Sequence, residues 1–188
     1  MKLKSFIAGA DFKSGQTRFK TAMGDFLNGS GIKISSVVSY NHLGNNDGKN
    51  LKESHTFKSK ENSKSGVLDD VVTSNKELYP KGNDIDHVVV IKYVPFVQDS
   101  KRAMDEYTST IFMNGLNTIT SYNVCEDSLL AVPLMIDMVL LAEYFSRVQI
   151  NGKKMNSVLS YLSFFFKAPV TNRNEYVINS FNRQRDIL

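Results

Sequence analysis

Charged residues occur in this chain where helix physics does not favour them. Asp99 or Ser100 is predicted to cap a helix, which places Lys101 and Arg102 in its first turn. Cations at that position oppose the helix dipole, at a cost of roughly 0.3–1 kcal/mol each. Two solvated cations explain the pattern if this cost is tolerated, and an anion bound at the helix start explains it equally. The sequence leaves both explanations open.

Two further segments are compatible with a bound phosphate group. Lys60 and Lys64 are four residues apart, so on a helix they share a face and repel each other mildly unless an anion lies between them. A solvated lysine-rich loop, Lys49–Ser65, explains them without a ligand. Asp11–Thr17 places serine, glycine and threonine at a predicted helix start after a strand, where backbone N–H groups bind anions. A serine N-cap explains that pattern as well.

Polar residues also follow a predicted strand at Asn41–Gly48, which is predicted to be a turn-rich loop. An extended turn explains its C-terminal half. It does not explain Asn41 and His42 directly after the strand, where α/β proteins bind ligands. Glu126–Ser128 is predicted to cap the helix that follows it. Lys167 ends an apolar run, where a helix C-terminus or a snorkelling side chain explains it without a function.

Composition limits the classes of protein to which the chain can belong. It has 188 residues, 41% apolar and 22% charged, which suffices for a sizeable core and excludes a wholly disordered chain. The net charge of +4 and the pI near 9.0 are mildly basic and fit an anionic ligand as well as a nucleic acid. The one cysteine, Cys125, excludes an internal disulfide framework and favours a reducing compartment. His42, His55 and His87 are too scattered for a zinc site.

No segment is predicted to be a signal peptide or a membrane span. The apolar run near the N-terminus is Phe6–Ala8, which is too short for a signal-peptide core. Leu129–Phe145 is the most apolar stretch, but Pro133, Asp137 and Glu143 interrupt it, and it is shorter than the roughly 20 apolar residues of a spanning helix. We interpret it as a buried or subunit-interface helix and expect a soluble cytoplasmic protein.

Helix and strand patterns alternate along the chain. This alternation predicts an α+β or α/β-like fold, in which helices pack against a mixed sheet. Val88–Val94 is a near-continuous apolar run and predicts a buried strand. The predicted helices are Ser14–Leu27, Val67–Leu78, Lys101–Met113, Ser128–Arg147 and Val158–Lys167. The other predicted strands are Val37–Tyr40 and Asn117–Tyr122, and Asn151–Gly152 is predicted to be a turn.

Seven ordered strings in the chain match the motifs of one protein family. They are Asp11–Thr17, Ser39–Gly48, Ser59–Ser65, Asp86–Pro95, Asp99–Tyr107, Asn123–Leu130 and Lys167–Pro169. In these strings the chain resembles the eukaryotic myo-inositol-1-phosphate synthases, also called inositol-3-phosphate synthases. The resemblance covers Phe6–Arg147 and resumes over Leu159–Arg185.

The resemblance implies a reaction, a cofactor and partners. Family members convert glucose 6-phosphate to 1L-myo-inositol 1-phosphate (inositol 3-phosphate) with tightly held NAD, in inositol and phosphoinositide biosynthesis. C5 of the sugar is oxidised, an enol forms, C6 attacks the C1 aldehyde in an intramolecular aldol step, and C5 is reduced again. The resemblance also implies a homotetramer, with neither a nucleic acid nor a membrane as a partner.

The resemblance further implies a role for each residue that matches a family motif. Implied catalytic residues are Lys60, Lys101, Lys167 and Asp11. Implied substrate-binding residues are Ser14, Gly15, Gln16, Thr17, Asn41, Leu43, Asn45, Asp47 and Lys64. Implied cofactor-binding residues are Asp99, Asp127 and Ser128, and no metal ligand is implied. Lysines suit this chemistry because fixed cations stabilise oxyanions and a lysine crowded by other cations has a lowered pKa and can move protons.

The chain differs from the family pattern in its extent and at four positions, of which Gly66 and Lys52 are the smaller departures. Family chains are longer, with a Rossmann portion before this region, so the chain alone is expected not to turn over. We expect residues 1–17 to be the end of the NAD-domain strand and the phosphate-cradle turn, 18–130 the catalytic and oligomerisation domain, and 131–188 a return segment towards the NAD domain. Ala10 replaces a usual acidic residue beside Asp11, and Gln98 replaces a usual glycine.

Two other interpretations stay open. A catalytically silent fragment of this family would keep the fold and the subunit contacts without the reaction. An unrelated basic binding module, for instance for RNA, is supported by Lys49–Ser65 and the pI alone. The chain has no aromatic–basic motif of the kind that recognises RNA.

Overall fold

A four-stranded mixed sheet forms the centre of the chain. The computed structural model describes residues 12–51, 68–81, 85–155 and 157–167, together with Asn182 and Asp186. The helices are Gln16–Gly29 (α1), Asn46–Asn50 (α2), residues 68–74 (α3), Asp127–Arg147 (α4) and Val158–Leu162 (α5). The strands are Lys33–Leu43 (β1), Asp86–Tyr93 (β2), Ser100–Thr110 (β3), Leu116–Glu126 (β4), Gln149–Ile150 (β5) and Lys153–Lys154 (β6).

The strands of the main sheet lie in the order β2-β1-β3-β4. β1 runs parallel to β2 and antiparallel to β3, and β3 runs antiparallel to β4. The register places Val37 of β1 opposite His87 of β2 and Tyr107 of β3. The predicted fold class, a mixed sheet with helices packed against it, is confirmed.

One face of this sheet changes from apolar to polar along its length. Across β1, β3 and β4, three successive rows on that face are Val37, Tyr107 and Ile119; Ser39, Asp105 and Ser121; and Asn41, Ala103 and Asn123. These residues share a face because strand side chains alternate with a period of two. The apolar row packs into the core, which contains Leu27, Ile34, Leu68 and Val71. The polar rows therefore lie towards the C-terminal end of β1, outside the apolar core.

The helix predicted over Ser14–Leu27 is confirmed as α1, which starts and ends two residues later than predicted. Its buried face is not the apolar one, because Phe19 and Phe26 are 43% and 61% exposed. The buried residues of α1 are Gln16, Thr17, Lys20, Thr21, Gly24 and Leu27. Gly24 lies so close to α3 that an added Cβ would be 2.8 Å from a methyl group of Val71. Most of this helix therefore turns polar side chains towards the sheet.

The helix predicted over Lys101–Met113 is wrong, since these residues form β3 and the turn after it. The prediction rested on Met104 and Tyr107 sharing a helix face with the apolar residues that follow them. In a strand these two side chains lie on opposite faces of the sheet, and Tyr107 is the fully buried one. The buried positions of β3 are Ala103, Asp105, Tyr107 and Ser109. Their polarity hides the apolar alternation that normally identifies a strand.

β1 is longer than predicted, and β2 is less buried. β1 runs to Leu43, so the first residues of the predicted loop Asn41–Gly48 belong to the strand, and Asn46–Asn50 is a helical turn. β2 confirms a strand at Val88–Val94. It lies at the edge of the sheet within the described residues, however, and Val88 is 41% exposed. The prediction that this strand is buried is wrong.

α4 confirms the helix predicted over Ser128–Arg147 and begins one residue earlier. Met138 is its buried residue, so a buried helix is the wrong interpretation within the described part of the chain, and a subunit interface stays a prediction. By length and composition alone, α4 is the one described helix able to cross a membrane. The core helix of a soluble protein passes the same test.

Four smaller predictions are confirmed in whole or in part. β4 contains the predicted strand Asn117–Tyr122, and residues 68–74 are helical within the predicted helix Val67–Leu78. The turn at Asn151–Gly152 joins β5 to β6, with φ values of 52° and 76° that suit asparagine and glycine. The helix predicted over Val158–Lys167 is α5 followed by a 3-10 turn at Ser163–Phe165.

Candidate active site

The start of α1 lies beside the segment that carries Lys167. Phe12 pairs with Phe166 in an isolated antiparallel bridge, and their ring centroids are 5.0 Å apart. Ser14–Thr17 follows one side of this bridge, and Lys167 follows the other directly. The bridge therefore brings the predicted phosphate cradle and a predicted catalytic lysine to the same place.

Among the described residues, no side chain caps α1. Its N-cap residue is Gly15, with φ of 51° and ψ of −119°, so a serine N-cap is the wrong explanation for Asp11–Thr17. A helix start carries partial positive charge and N–H donors, which suits an anion. An added Cβ on Gly15 would lie 3.4 Å from Cδ1 of Leu130, so the first turn of α4 borders the cradle.

Lys101 projects from β3 on the polar part of the sheet face. Its Nζ lies 3.5 Å from Oδ1 of Asp127 at the start of α4, and the two side chains are 17% and 32% exposed. Because both side chains are partly exposed, Asp127 orients the Lys101 ammonium group and still leaves it accessible to a ligand. Lys101 also pairs in register with Cys125 of the neighbouring strand β4. Burial raises the pKa of the Cys125 thiol, and the positive charge of Lys101 opposes that shift.

Lys20 shows that Lys101 and Lys167 belong to one cluster. The side chain of Lys20 is almost fully buried beneath α1. Burial lowers its pKa to about 8, Asp105 opposes that shift, and the charges of Lys101 and Lys167 lower the pKa further. The charges of both predicted catalytic lysines therefore act on the protonation of one buried amine.

Lys13 and Lys20 are functional candidates that sequence reasoning missed. Lys13 is fully buried, and burial lowers its pKa to about 7; Asp70 opposes this shift and Lys167 adds to it. The signal that was available is the spacing of Gln16 and Lys20, which are four residues apart and share a helix face. A buried helix face made of such residues indicates a polar interior.

Asp99 connects three elements through its carboxylate. Its Oδ1 accepts hydrogen bonds from Nδ2 of Asn45, at 2.9 Å, and from Oγ of Ser128, at 2.7 Å, while its Oδ2 accepts from the Ser128 N–H at 2.9 Å. Burial raises the pKa of Asp99, but these bonds together hold it below its usual value. Asp99 therefore caps α4. The predictions that it caps a helix at Lys101 and that Glu126–Ser128 caps α4 with its own side chains are wrong.

Replacing Asp99 by alanine is expected to destabilise the chain by about 2 kcal/mol at pH 7, because it removes a helix cap and the anchor of Asn45. Since the pKa of Asp99 is lowered by folding, its carboxylate stabilises the chain above its unfolded pKa of about 3.9 and loses this effect as the pH falls below that value. Urea unfolding of D99A and of the unmodified chain should therefore converge at acid pH.

The control for this experiment is Asp137→Ala, on an exposed position of α4. It should change the free energy of unfolding by less than about 0.5 kcal/mol at either pH. A difference between D99A and the unmodified chain that is as large at pH 3 as at pH 7 would contradict the role of the charged form of Asp99.

The residues implied to line the sugar lie at and after the end of β1. Asn41 is 2% exposed; its Nδ2 donates to the Val90 carbonyl over 3.2 Å, and its Oδ1 has no hydrogen-bond partner among the described residues. Leu43 is buried, and Asn45 accepts from the Gly48 N–H as the N-cap of α2. Asp47, in the first turn of α2, is exposed. The unpaired Asn41 oxygen is an acceptor directed at the polar face.

Gln98 occupies a strained turn directly before Asp99. It has φ of 48° and ψ of −123°, a region that normally requires glycine. The turn is fixed on both sides, because the Gln98 N–H donates to the Pro95 carbonyl and its own carbonyl accepts from the Gly44 N–H. These two hydrogen bonds therefore hold Gln98 in a strained conformation, at a cost in stability.

Replacing Gln98 by glycine is expected to stabilise the chain by about 1 kcal/mol. The relief of backbone strain, roughly 1–3 kcal/mol, exceeds the extra flexibility that glycine gives the unfolded chain. Asn151→Gly is the matched control: Asn151 also has a positive φ, of 52°, but asparagine tolerates that region, so a smaller effect is expected. Equal urea midpoints for Q98G and the unmodified chain would contradict the strain.

Three implied site residues lie outside the described residues. They are Asp11, Lys60 and Lys64, and their roles stay predictions. The structure brings together Ser14–Thr17, Lys101 and Lys167, with Asp99, Asp127 and Ser128 joined at the start of α4. Asp99, Asp127 and Ser128 place two partly exposed carboxylates and a serine at one helix start. Such acceptors suit the amide and hydroxyl groups of a dinucleotide. The cluster of cations can bind an anion and stabilise an oxyanion.

The part of the chain that holds this arrangement matches a known protein family. The family description myo-inositol-1-phosphate synthase matches residues 15–128. The chain belongs to the myo-inositol-1-phosphate synthase family. The matched range includes the start of α1, the whole main sheet and the cap of α4.

Relatives of this synthase family are much longer than the chain. Inositol-3-phosphate synthase 1 of Populus euphratica is 56% identical over 194 residues, which cover 100% of the chain and 38% of the relative. The Drosophila melanogaster inositol-3-phosphate synthase is also 56% identical, over 96% of the chain and 33% of the relative. The crystal structure of the Caenorhabditis elegans inositol-3-phosphate synthase matches with a TM-score of 0.86 at 55% identity, over 98% of the chain and 37% of that protein. The chain thus spans little more than a third of its curated relatives.

Proposed function

We propose that the chain forms the catalytic portion of an inositol-3-phosphate synthase, which converts glucose 6-phosphate to 1L-myo-inositol 1-phosphate with NAD. The observation that carries the proposal is a meeting of three segments. The Phe12–Phe166 bridge brings Lys167 to the start of α1, and the first turn of α4, where Asp127 pairs with Lys101, borders the same place. Such a cluster of cations provides fixed positive charge for a phosphate at one end and for sugar oxyanions at the other.

The phosphate of the substrate binds at the start of α1. Ser14, Gly15, Gln16 and Thr17 supply N–H and hydroxyl donors at the positive end of the helix, and Lys64 adds a charge. Asn41 and Asn45 hydrogen-bond the sugar hydroxyls beyond the phosphate, together with Asp47, while Leu43 packs against the ring. Binding at both ends of the sugar fixes its orientation before any bond changes.

The lysines stabilise negative charge and move protons. When the enol forms at C5 and C6, oxygen O5 gains negative charge, and when C6 attacks C1, oxygen O1 gains it. Lys101, oriented by Asp127, and Lys167 lie where fixed cations are needed, and Lys60 completes the set. Asp11 orients these lysines. Burial lowers the pKa of Lys20 to about 8, so this lysine can also exchange a proton near neutral pH.

NAD, when bound, supplies the acceptance and return of a hydride at C5 of the sugar. Asp99, Asp127 and Ser128 would border its nicotinamide end at the start of α4. The rest of the cofactor is proposed to bind to a separate NAD-binding portion of the synthase. A homotetramer and a cytoplasmic location are part of the same proposal.

A catalytically silent member of the family is the alternative, and Gln98 is the observation that favours it. A strained turn next to Asp99 has the potential to displace Lys101 and Asp127 from the geometry that the reaction requires. Binding of RNA has weaker support, since it rests on the lysine-rich segment Lys49–Ser65 and the pI near 9.0 alone.

The test is an assay of inositol phosphate formation from glucose 6-phosphate and NAD. The 188-residue chain would be assayed alone, and also in place of the matching segment of the Drosophila synthase, to which it is 56% identical. Product from the chimera is the expected result. A folded chimera without product would contradict the proposal, and recovery of product by Q98G in that chimera would identify the strained turn as the cause.

A further inference from the structure

A buried polar cluster joins α1 to the middle of the sheet. Nε2 of Gln16 donates to Oδ1 of Asp105 over 2.7 Å, and the two residues are 8% and 2% exposed. Lys20 lies one helical turn further along α1 and is also 2% exposed. Its Nζ lies 3.1 Å from Nε2 of His87 on β2. This cluster lies beneath the site, and none of Lys20, His87 and Asp105 has an assigned role so far.

The position of Asp105 links the two ends of the proposed substrate site. Gln16 is the first residue of α1 and directly follows Gly15, so it belongs to the phosphate cradle. Lys101 lies on the same face of β3 as Asp105, two inward-facing positions away, which is about 13 Å along a strand. A hydrogen bond from Gln16 to Asp105 therefore fixes the start of α1 relative to the strand that carries Lys101.

Asp105 also acts on Lys20 through its negative charge, which raises the pKa of that amine. The groups that act on Lys20 are His87 from β2, Asp105 and Lys101 from β3, and Lys167 from the segment after α5. Burial and the two other lysines lower the pKa of Lys20 to about 8, and Asp105 raises it. Without the carboxylate, Lys20 would lose its proton at a lower pH, and the positive charge beneath the cradle would be lost with it.

We propose that Asp105 is a positioning residue of the phosphate cradle, which holds Gln16 in place and keeps Lys20 charged. This inference rests on the proposed function, because it presumes that the cradle binds the phosphate of glucose 6-phosphate. Asp105 does not touch the substrate in this proposal. It acts through the two residues of α1.

The experiment measures the binding of glucose 6-phosphate to the 188-residue chain by calorimetry between pH 7 and pH 9.5, where a sugar phosphate is dianionic. Asp105→Asn retains an acceptor for Gln16 but removes the charge. Gln16→Met removes the hydrogen bond but retains the charge. Ser109→Ala, at a buried position on the same face of β3, is the control for a change in packing.

D105N and Q16M are each expected to weaken binding about tenfold at pH 7, whereas S109A should stay within about twofold. The pH dependence separates the two roles of Asp105. In the unmodified chain and in Q16M, affinity should fall as the pH rises through the Lys20 pKa of about 8. In D105N the same fall should occur at a lower pH, since nothing then raises that pKa. Lys13, with a pKa of about 7, contributes alike in all four proteins.

Binding by D105N with the affinity and pH midpoint of the unmodified chain would overturn the role of Asp105 and leave the proposed function intact. Equal losses of affinity for glucose 6-phosphate in D105N and S109A would also overturn the role of Asp105, because they would show that a change in packing causes the loss. If D105N fails to fold, Q16M decides: unchanged affinity in Q16M overturns the proposal. Absence of binding by the folded, unmodified chain would contradict the substrate site itself, and the role of Asp105 with it.

Discussion

Replacing Lys101 by methionine is expected to lower the kcat of the active chimera by about 10²- to 10³-fold, the usual effect of removing one group that stabilises an oxyanion. The structure supports so large an effect because Lys101 lies on the polar face, paired with Asp127 at 3.5 Å, and close to the buried amine of Lys20. Methionine keeps most of the length and apolar volume of the side chain, so the free energy of unfolding should change little.

Lys92→Met provides the matched control for this variant. Lys92 lies on β2, is exposed, and forms a register pair with His42 of the neighbouring strand. The same substitution there should leave kcat and KM unchanged. The measurement is steady-state formation of inositol phosphate by the chimera, with thermal unfolding to verify the fold. A K101M chimera that retains more than a tenth of the unmodified rate would exclude Lys101 as the main cation at a developing oxyanion.

Replacing Gly44 by alanine is expected to destabilise the chain by about 3 kcal/mol or more. An added Cβ would lie 2.3 Å from the Val94 carbonyl oxygen, 2.5 Å from the Gln98 nitrogen and 2.9 Å from the Pro95 carbonyl oxygen. All three contacts are to backbone, which cannot turn aside as a side chain can. Gly44 also precedes Asn45, so the shift would break the hydrogen bond from Asn45 to Asp99 as well.

Urea unfolding measures the effect of G44A, and Gly29→Ala is its control. Gly29 is the last residue of α1, and an added Cβ there meets nothing within 4 Å. G29A is therefore expected to be neutral or slightly stabilising, since alanine favours helix more than glycine does. A G44A chain as stable as the unmodified one would show that the turn after β1 relaxes easily, and would remove the reason for glycine at this position.

The sequence predicted the elements with ordinary apolar patterns and failed where the site replaces apolar residues by polar ones. α4 has a long apolar run and was predicted to within one residue. β3 was predicted to be a helix, since its inward positions include Lys101 and Asp105. A strand whose buried side chains serve a binding site loses the alternation by which strands are identified.

Site residues were predictable where they belong to a local motif and not where they depend on tertiary contact. Ser14–Thr17 is a contiguous string at a helix start, and the structure places it there. Asp105 and Gln16 are far apart in the sequence and meet only because α1 packs on the sheet. Asp99 was assigned to the correct kind of role, a helix cap, but to the wrong helix, because its partner Ser128 lies on another element.

The parallel pairing of β1 with β2 has a consequence for how the chain folds. Ser36 pairs with Asp86, and Lys33 pairs across the sheet with Thr110, so the central strand finds both neighbours far along the chain. Closing such long loops costs conformational entropy before the contacts that offset this cost have formed. Folding is therefore slower than in a chain of local hairpins. The polar rows span β1, β3 and β4, so they exist only once β1 has paired with β3. Refolding should therefore restore helical content first and the ability to bind a sugar phosphate last.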